Sequence, residues 1–289
     1  MSAVGRSELR ELLLVAEDEV LQAWKAADKE LDVENPSLDT AANTVLDRVA
    51  QVGVSLIENR QYEDVGLVVD TLIHLYRAAG EQRPPTLSVV PLASERQALR
   101  WFAIATRVYV LGAVAVSMQA FAVIRQLVLQ QPNEMRKGRY WLRDTVTALA
   151  RLKRFEKKSF IGPISEYIAE RPVFFRRFRN NKDEVVAYLC RFDFLQCVIS
   201  VADTADLSAC YPNFGGFYKE RTEPIIVDLV TGGKSREALP NVDDVTLAKI
   251  IVELDHLADR EFFSYAAWDA GHWSDKRVSE FLVRHARQE

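Results

Sequence analysis

Along most of the chain, apolar residues recur every three or four positions and polar residues fill the gaps. That is the period of helices that each bury one face. Leu9, Leu12, Leu13, Ala16, Val20, Ala23 and Trp24 form the first stripe, and Ser7 is placed to cap a helix running to about Leu31. After a break at NPS (35–37), Ala42, Val45, Leu46, Val49, Val52, Leu56 and Ile57 predict a second helix over Leu38 to Asn59. QYEDVGLVVDTLIHLYRAAG predicts a third, with Gly80 as its C-cap.

The proline-bearing stretch EQRPPT at 81–86 then interrupts the pattern, since each proline biases its predecessor toward extended backbone. LSVVPL at 87–92 has strand character, but Pro91 favours a loop. From about Ser94 to Gln130 the spacing predicts one long helix, or two broken near Gly112. Further helices are expected over Met135 to about Lys158, Ser165 to Ala169 and Asp183 to Ala202. A turn at YPNFGGF (211–217) leads into a helix ending at Val230. Val242 to about Asp259 and Ser274 to Ala286 supply the last two.

No stretch alternates convincingly with period two. The expected fold is therefore all-α, an irregular helical bundle or a short α-solenoid-like array of antiparallel helices. No fixed repeat length is evident. Two regions are expected, an N-terminal one over 1–132 and a C-terminal one over 133–289, unless the chain forms one continuous domain.

Composition changes this picture little. The chain has 289 residues, 48% of them apolar and 27% charged, which is ordinary for a globular protein with a sizeable core. Three cysteines, Cys190, Cys197 and Cys210, are too few for a disulfide scaffold and suggest reduced thiols. The N-terminus lacks the layout of a signal peptide, so a cytoplasmic location is expected. Residues 108–124 carry no charge, but seventeen residues is at the short limit for a membrane span. A buried central helix is the expectation there.

Charge distribution changes the picture more. Residues 136–182 contain fourteen Lys/Arg against four Asp/Glu, a local net of +10 in a chain whose total is −4. Residues 1–40 hold ten acids and four bases. Such asymmetry points to two ends that attract each other or face different partners.

The densest part of the basic segment is RPVFFRRFR at 171–179. On a helix, Phe174, Phe175 and Phe178 would share a face, with Arg176, Arg177 and Arg179 spread over the rest. The simplest reading docks the phenylalanines in the core and solvates the arginines. RLKRFEKK at 151–158 adds Arg151, Lys153, Arg154, Lys157 and Lys158. Together these residues are candidates for binding a polyanion or an acidic protein. Tyr211, Tyr218 and Arg221, around the YPNFGGF turn, are candidate anchors for a peptide.

Other motifs fail on their own chemistry. GGKS at 232–235 lacks the first glycine of a phosphate-binding loop, because Asp228 stands there, and TEPIIVDLV before it reads as a helix opening at Thr-Glu-Pro. The four histidines fall in no metal-binding pattern, so neither metal nor cofactor is implied. Glu253 with His256, and Asp255 with Asp259, are spaced to interact but read as a solvated helix surface.

The best-supported function from sequence is a noncatalytic helical interaction or scaffold subunit of a larger assembly, using the basic surface on an acidic protein. The alternatives are a non-sequence-specific DNA- or RNA-binding subunit and an enzyme with a dispersed helical-bundle site. A membrane role is disfavoured.

Overall fold

The computed structural model describes residues 3–29, 40–81, 90–130, 181–205 and 219–260, together with Phe174 and Phe178. Within them the chain is a helical bundle of eight α-helices, with no strand among the described residues. These are α1 (Ala3–Lys29), α2 (Thr40–Glu58), α3 (Tyr62–Glu81), α4 (Val90–Ser117), α5 (Phe121–Leu129), α6 (Lys182–Thr204), α7 (Lys219–Val230) and α8 (Asp244–Arg260). A 3₁₀ turn at Lys234–Ala238 lies between α7 and α8. The helices expected over 135–158, 165–169 and 274–286 lie outside the described residues.

The stripe in α2 works as its spacing predicts. Ala42, Val45, Leu46, Val49, Leu56 and Ile57 are buried, while Val52 packs partly buried against the same core. In α1, Leu13, Ala16, Val20 and Trp24 are buried, but Leu12 is 52% exposed. Leu12 therefore lies at the flank of the core stripe, one turn from buried Ala16, while exposed Leu14 and Val15 lie away from it.

The uncharged run at 108–124 is split between two helices. Gly112 does not break α4. The break comes at Ser117–Ala120, where Gln119 takes a left-handed backbone (φ 53°). There Ala120 N–H donates to Ala115 O (2.8 Å) and Gln119 N–H to Val116 O (3.0 Å). This closure satisfies the last carbonyls of α4 and turns the chain. The same closure ends α2 at Arg60 (φ 58°). Pro91 falls in the first turn of α4, where a missing N–H costs nothing.

Gly112 instead lets α4 approach α6. A Cβ there would sit well under 3.0 Å from the ring of Phe192, which is fully buried. Phe192 in turn meets Tyr109 edge-on at 5.1 Å. α4 thus lies between the α1–α3 layer and α6, and its buried residues join both sides into one cluster. Two helices, at Leu99–Ser117 and Lys182–Thr204, are long and apolar enough to cross a membrane. Both are mostly buried against other helices of the protein.

Two buried guanidiniums fix α4 against the N-terminal helices. Arg100 donates to Asp28 Oδ1 (2.7 Å) and to Trp24 O (3.2 Å), with its guanidinium 5.1 Å from the Trp24 ring centre. Arg107, one heptad later, donates to Asp47 Oδ1 (2.5 Å), Asn43 O (3.2 Å) and Ala103 O (2.9 Å). Seven residues is nearly two helical turns, so both arginines leave the same side of α4. One reaches α1 and the other α2.

Candidate interaction site

The neighbourhood that receives the Arg/Phe segment is built on the start of α6. Asn181 caps that helix, its side chain accepting from Glu184 N–H at 3.3 Å. Its own N–H donates to Phe178 O (2.8 Å), which ties the preceding chain to the cap. Phe174 and Phe178 are both buried, at 2% and 6% exposure, and belong to the main core. The Phe178 ring lies 5.2 Å from that of Tyr188, and the Arg191 guanidinium lies 5.1 Å from the same tyrosine ring. Arg191 Nε then donates to Arg221 O (2.9 Å), joining α6 to α7.

Of the residues singled out in the sequence, the structure links Phe178 to Arg221 through Tyr188 and Arg191, and buries Phe174 in the same core. Arg221 is half-buried in α7, and its guanidinium interacts with the Cys190 thiol. Arg151, Lys153, Arg154, Lys157, Lys158, Arg176, Arg177, Arg179, Tyr211 and Tyr218 lie outside the described residues.

Polar groups line the interior of α6. The Tyr109 hydroxyl donates to Asp193 Oδ1, so a fully buried carboxylate finds a partner on α4. Gln196, Cys197 and Ser200 continue the polar row. Cys190 and Cys197, seven residues apart on α6, are buried thiols. Burial pushes the Cys190 thiol up from its ordinary value to about 12, against the opposing pull of Arg221. A protonated, buried thiol is a poor nucleophile.

The consequence has a definite sign. Folding favours the neutral thiol, so this contribution to stability is complete below pH 9 and declines as pH rises toward about 12. At pH 8, Cys190 is expected to resist iodoacetamide in the native chain and to label once urea is added. Peptide mass mapping reads this, and native labelling at the denatured rate would contradict it.

The GGKS loop holds an anion supplied by the chain itself. Asp228 Oδ2 accepts from Ser235 N–H at 2.7 Å, and Asp228 O accepts from Gly233 N–H at 2.7 Å. Gly232 adopts the left-handed backbone (φ 70°) of a helix terminus. A Cβ on Gly233 would meet Asp228 O at 2.7 Å, so glycine is required there. The carboxylate occupies the loop's amide donor, where a phosphate would otherwise be bound. Thr-Glu-Pro does not open this helix, however; α7 already includes Lys219, and Pro224 lies inside it.

Asp228→Ala leaves the Ser235 amide without its acceptor and is expected to cost about 1–3 kcal/mol. An unchanged thermal midpoint would show that water replaces the carboxylate freely.

The acid–base candidates remain unassembled where they are described. Glu253 lies 3.9 Å from Lys249 on the same helix, and the side chains of Asp255, His256 and Asp259 lie outside the described residues. His74 faces Glu17 at 3.5 Å. Among the described residues, no group of three or more His, Cys, Asp or Glu could hold a metal ion.

Sequence reading missed two features. The Arg100 and Arg107 clamps carried one visible signal, a pair of arginines seven apart in a mostly apolar helix. The exposure of Leu12 had none, because Leu12 fits the helical spacing of a core position. No family model matches this chain, and no curated protein or solved structure is detectably similar to it.

Proposed function

We propose that this chain is a noncatalytic helical interaction subunit of a larger assembly. Its basic segment, residues 136–182, binds an acidic protein partner in the cytoplasm. The observation that carries this reading is the burial of Phe174 and Phe178. Their side chains are taken up by the core, and Arg176, Arg177 and Arg179 are their near neighbours in sequence. Arginine forks suit carboxylates and raise encounter rates with acidic surfaces. Arg151, Lys153, Arg154, Lys157 and Lys158 extend the same charge.

The same burial weighs against nucleic acid. Stacking on unpaired bases needs exposed aromatic faces, and these two phenylalanines are unavailable for it. Charge alone would still give salt-sensitive binding to a phosphate backbone.

Fluorescence anisotropy separates the two partners. The probes are a labelled glutamate-rich peptide and labelled single-stranded RNA, each followed across a salt series. The glutamate-rich peptide is expected to bind more tightly than the RNA. Its affinity is expected to fall at least ~10-fold, about 1.4 kcal/mol, in a folded R176E/R177E/R179E variant. Tighter binding of RNA would move the assignment to a nucleic-acid subunit. Absence of binding by both at low salt would overturn the reading.

A further inference from the structure

α1 is held to the bundle differently from the helices beneath it. It buries one narrow stripe, Leu13, Ala16, Val20, Trp24 and Ala27, and two of those five are alanines. α3, by contrast, leaves only Glu63, Asp70 and His74 exposed among its described residues. α1 packs on α2 and α3, which also pack on each other and on α4. It therefore lies over helices that are already joined.

Charge lines both flanks of the stripe. Arg6, Glu17 and Asp28 are spaced eleven residues apart, about three turns, so they follow one flank. Arg6 donates to Asp64 on α3 (2.6 Å), Glu17 faces His74 on α3 (3.5 Å), and Asp28 accepts from Arg100 on α4 (2.7 Å). Glu19, on the other flank, accepts from Arg48 on α2. Arg6 meets Asp64 and Glu17 meets His74, so α1 and α3 run parallel. The seat of α1 is a groove between α2 and α3 with a fixed charge order along it. Buried Asp64 comes first, then His74 and Arg48, and buried Arg100 last.

The ties in the middle are weak ones. Arg48, Glu19 and His74 are exposed, so each contributes little and is screened by salt. Most of the grip falls to Leu13, Val20 and Trp24, the last under the Arg100 guanidinium. Apolar anchors at i, i+7 and i+11 with charged flanks are how an amphipathic helix enters a groove.

We propose that α1 is an autoinhibitory strap. It fills, within its own chain, a helix-binding groove on α2 and α3. It lifts off as a unit, and an amphipathic helix of the same charge order takes its place. The partner's chemistry follows from the groove: three large apolar anchors, a base opposite Asp64, and acids opposite His74, Arg48 and Arg100. The inference does not draw on the basic segment, so R176E/R177E/R179E leaves it unchanged.

Anisotropy of the full chain with a labelled peptide of residues 3–29 tests this, beside native-state hydrogen exchange. In the native chain the resident α1 competes, and the peptide is expected to bind weakly. L13A/V20A weakens the resident helix and leaves the groove intact, and is expected to bind the peptide at least ~10-fold more tightly. Adding R48E to that chain is expected to weaken the peptide severalfold, and Glu19→Arg in the peptide to recover the loss. In the native chain, α1 amides are expected to share one opening, at least ~10-fold more populated than that of the slowest α3 and α4 amides. Exchange of α1 only together with α3 and α4, or no peptide binding to the L13A/V20A chain, would overturn the proposal. So would binding indifferent to R48E, which would place the peptide elsewhere. A L13A/V20A chain that loses protection throughout would also overturn it, because α1 would then be part of the body.

Discussion

Arg107→Ala is expected to destabilise the chain by about 3 kcal/mol, the low end of the range for breaking a buried ion pair. An exposed pair would be worth at most about 1 kcal/mol. Arg107 belongs to the first class, because its side chain is 3% exposed. Its partner Asp47 is 33% exposed, which moderates the loss since water can reach the orphaned carboxylate. Removing the guanidinium also takes a donor from Asn43 O and Ala103 O. Replacing both ends, as Arg107→Met with Asp47→Leu, is expected to recover much of the loss, because no charge is then stranded. Urea denaturation reads both variants. A loss under about 1 kcal/mol for Arg107→Ala would mean that the pair behaves like a surface contact.

Gly112→Val is expected to cost about 3 kcal/mol or more through overpacking. Helix propensity alone predicts the opposite sign, since glycine inside a helix costs about 1 kcal/mol relative to alanine. The clash is larger because Phe192 cannot move aside easily. It is fully buried, stands edge-on to Tyr109, and Tyr109 is tied to Asp193 on the same helix as Phe192. Phe192→Leu in the same chain makes room and is expected to restore part of the stability, giving a strongly non-additive cycle. Additive effects in thermal or urea unfolding would show that α4 and α6 do not meet closely at Gly112.

These two positions also mark where the sequence was and was not legible. The stripe in α2 announces its buried side directly, because that helix has one wet face. α6 is buried nearly all round, so its periodicity is weak and only its length and its Asn181 cap mark it. Gly112 was read as a possible break because its close neighbour, Phe192, is eighty residues away. The true break at Gln119 uses a non-glycine residue in a left-handed turn. The Arg100 and Arg107 partners are 72 and 60 residues distant, beyond any local pattern.

The candidate site was legible in part. The Arg/Phe run announced a segment with docking phenylalanines and charged arginines, and Phe174 and Phe178 are indeed buried. The seat of Phe178 against Tyr188, and the Arg191 bridge to Arg221, were not visible because they join elements through space. Asp228 in the first-glycine position of GGKS was legible from chemistry alone. A carboxylate there repels phosphate, and in the fold it serves as the loop's acceptor.

The central claim is that this chain works as an interaction subunit through its basic segment. The direct measurement is the native mass and composition of the complex containing the full-length chain, isolated from its own cells by size-exclusion chromatography with light scattering and protein identification. The account predicts a particle well above the 32.8 kDa of one chain, containing a second and acidic protein species, which R176E/R177E/R179E removes without unfolding the chain. A particle containing this chain alone, with the same mass in native and variant forms, would contradict it.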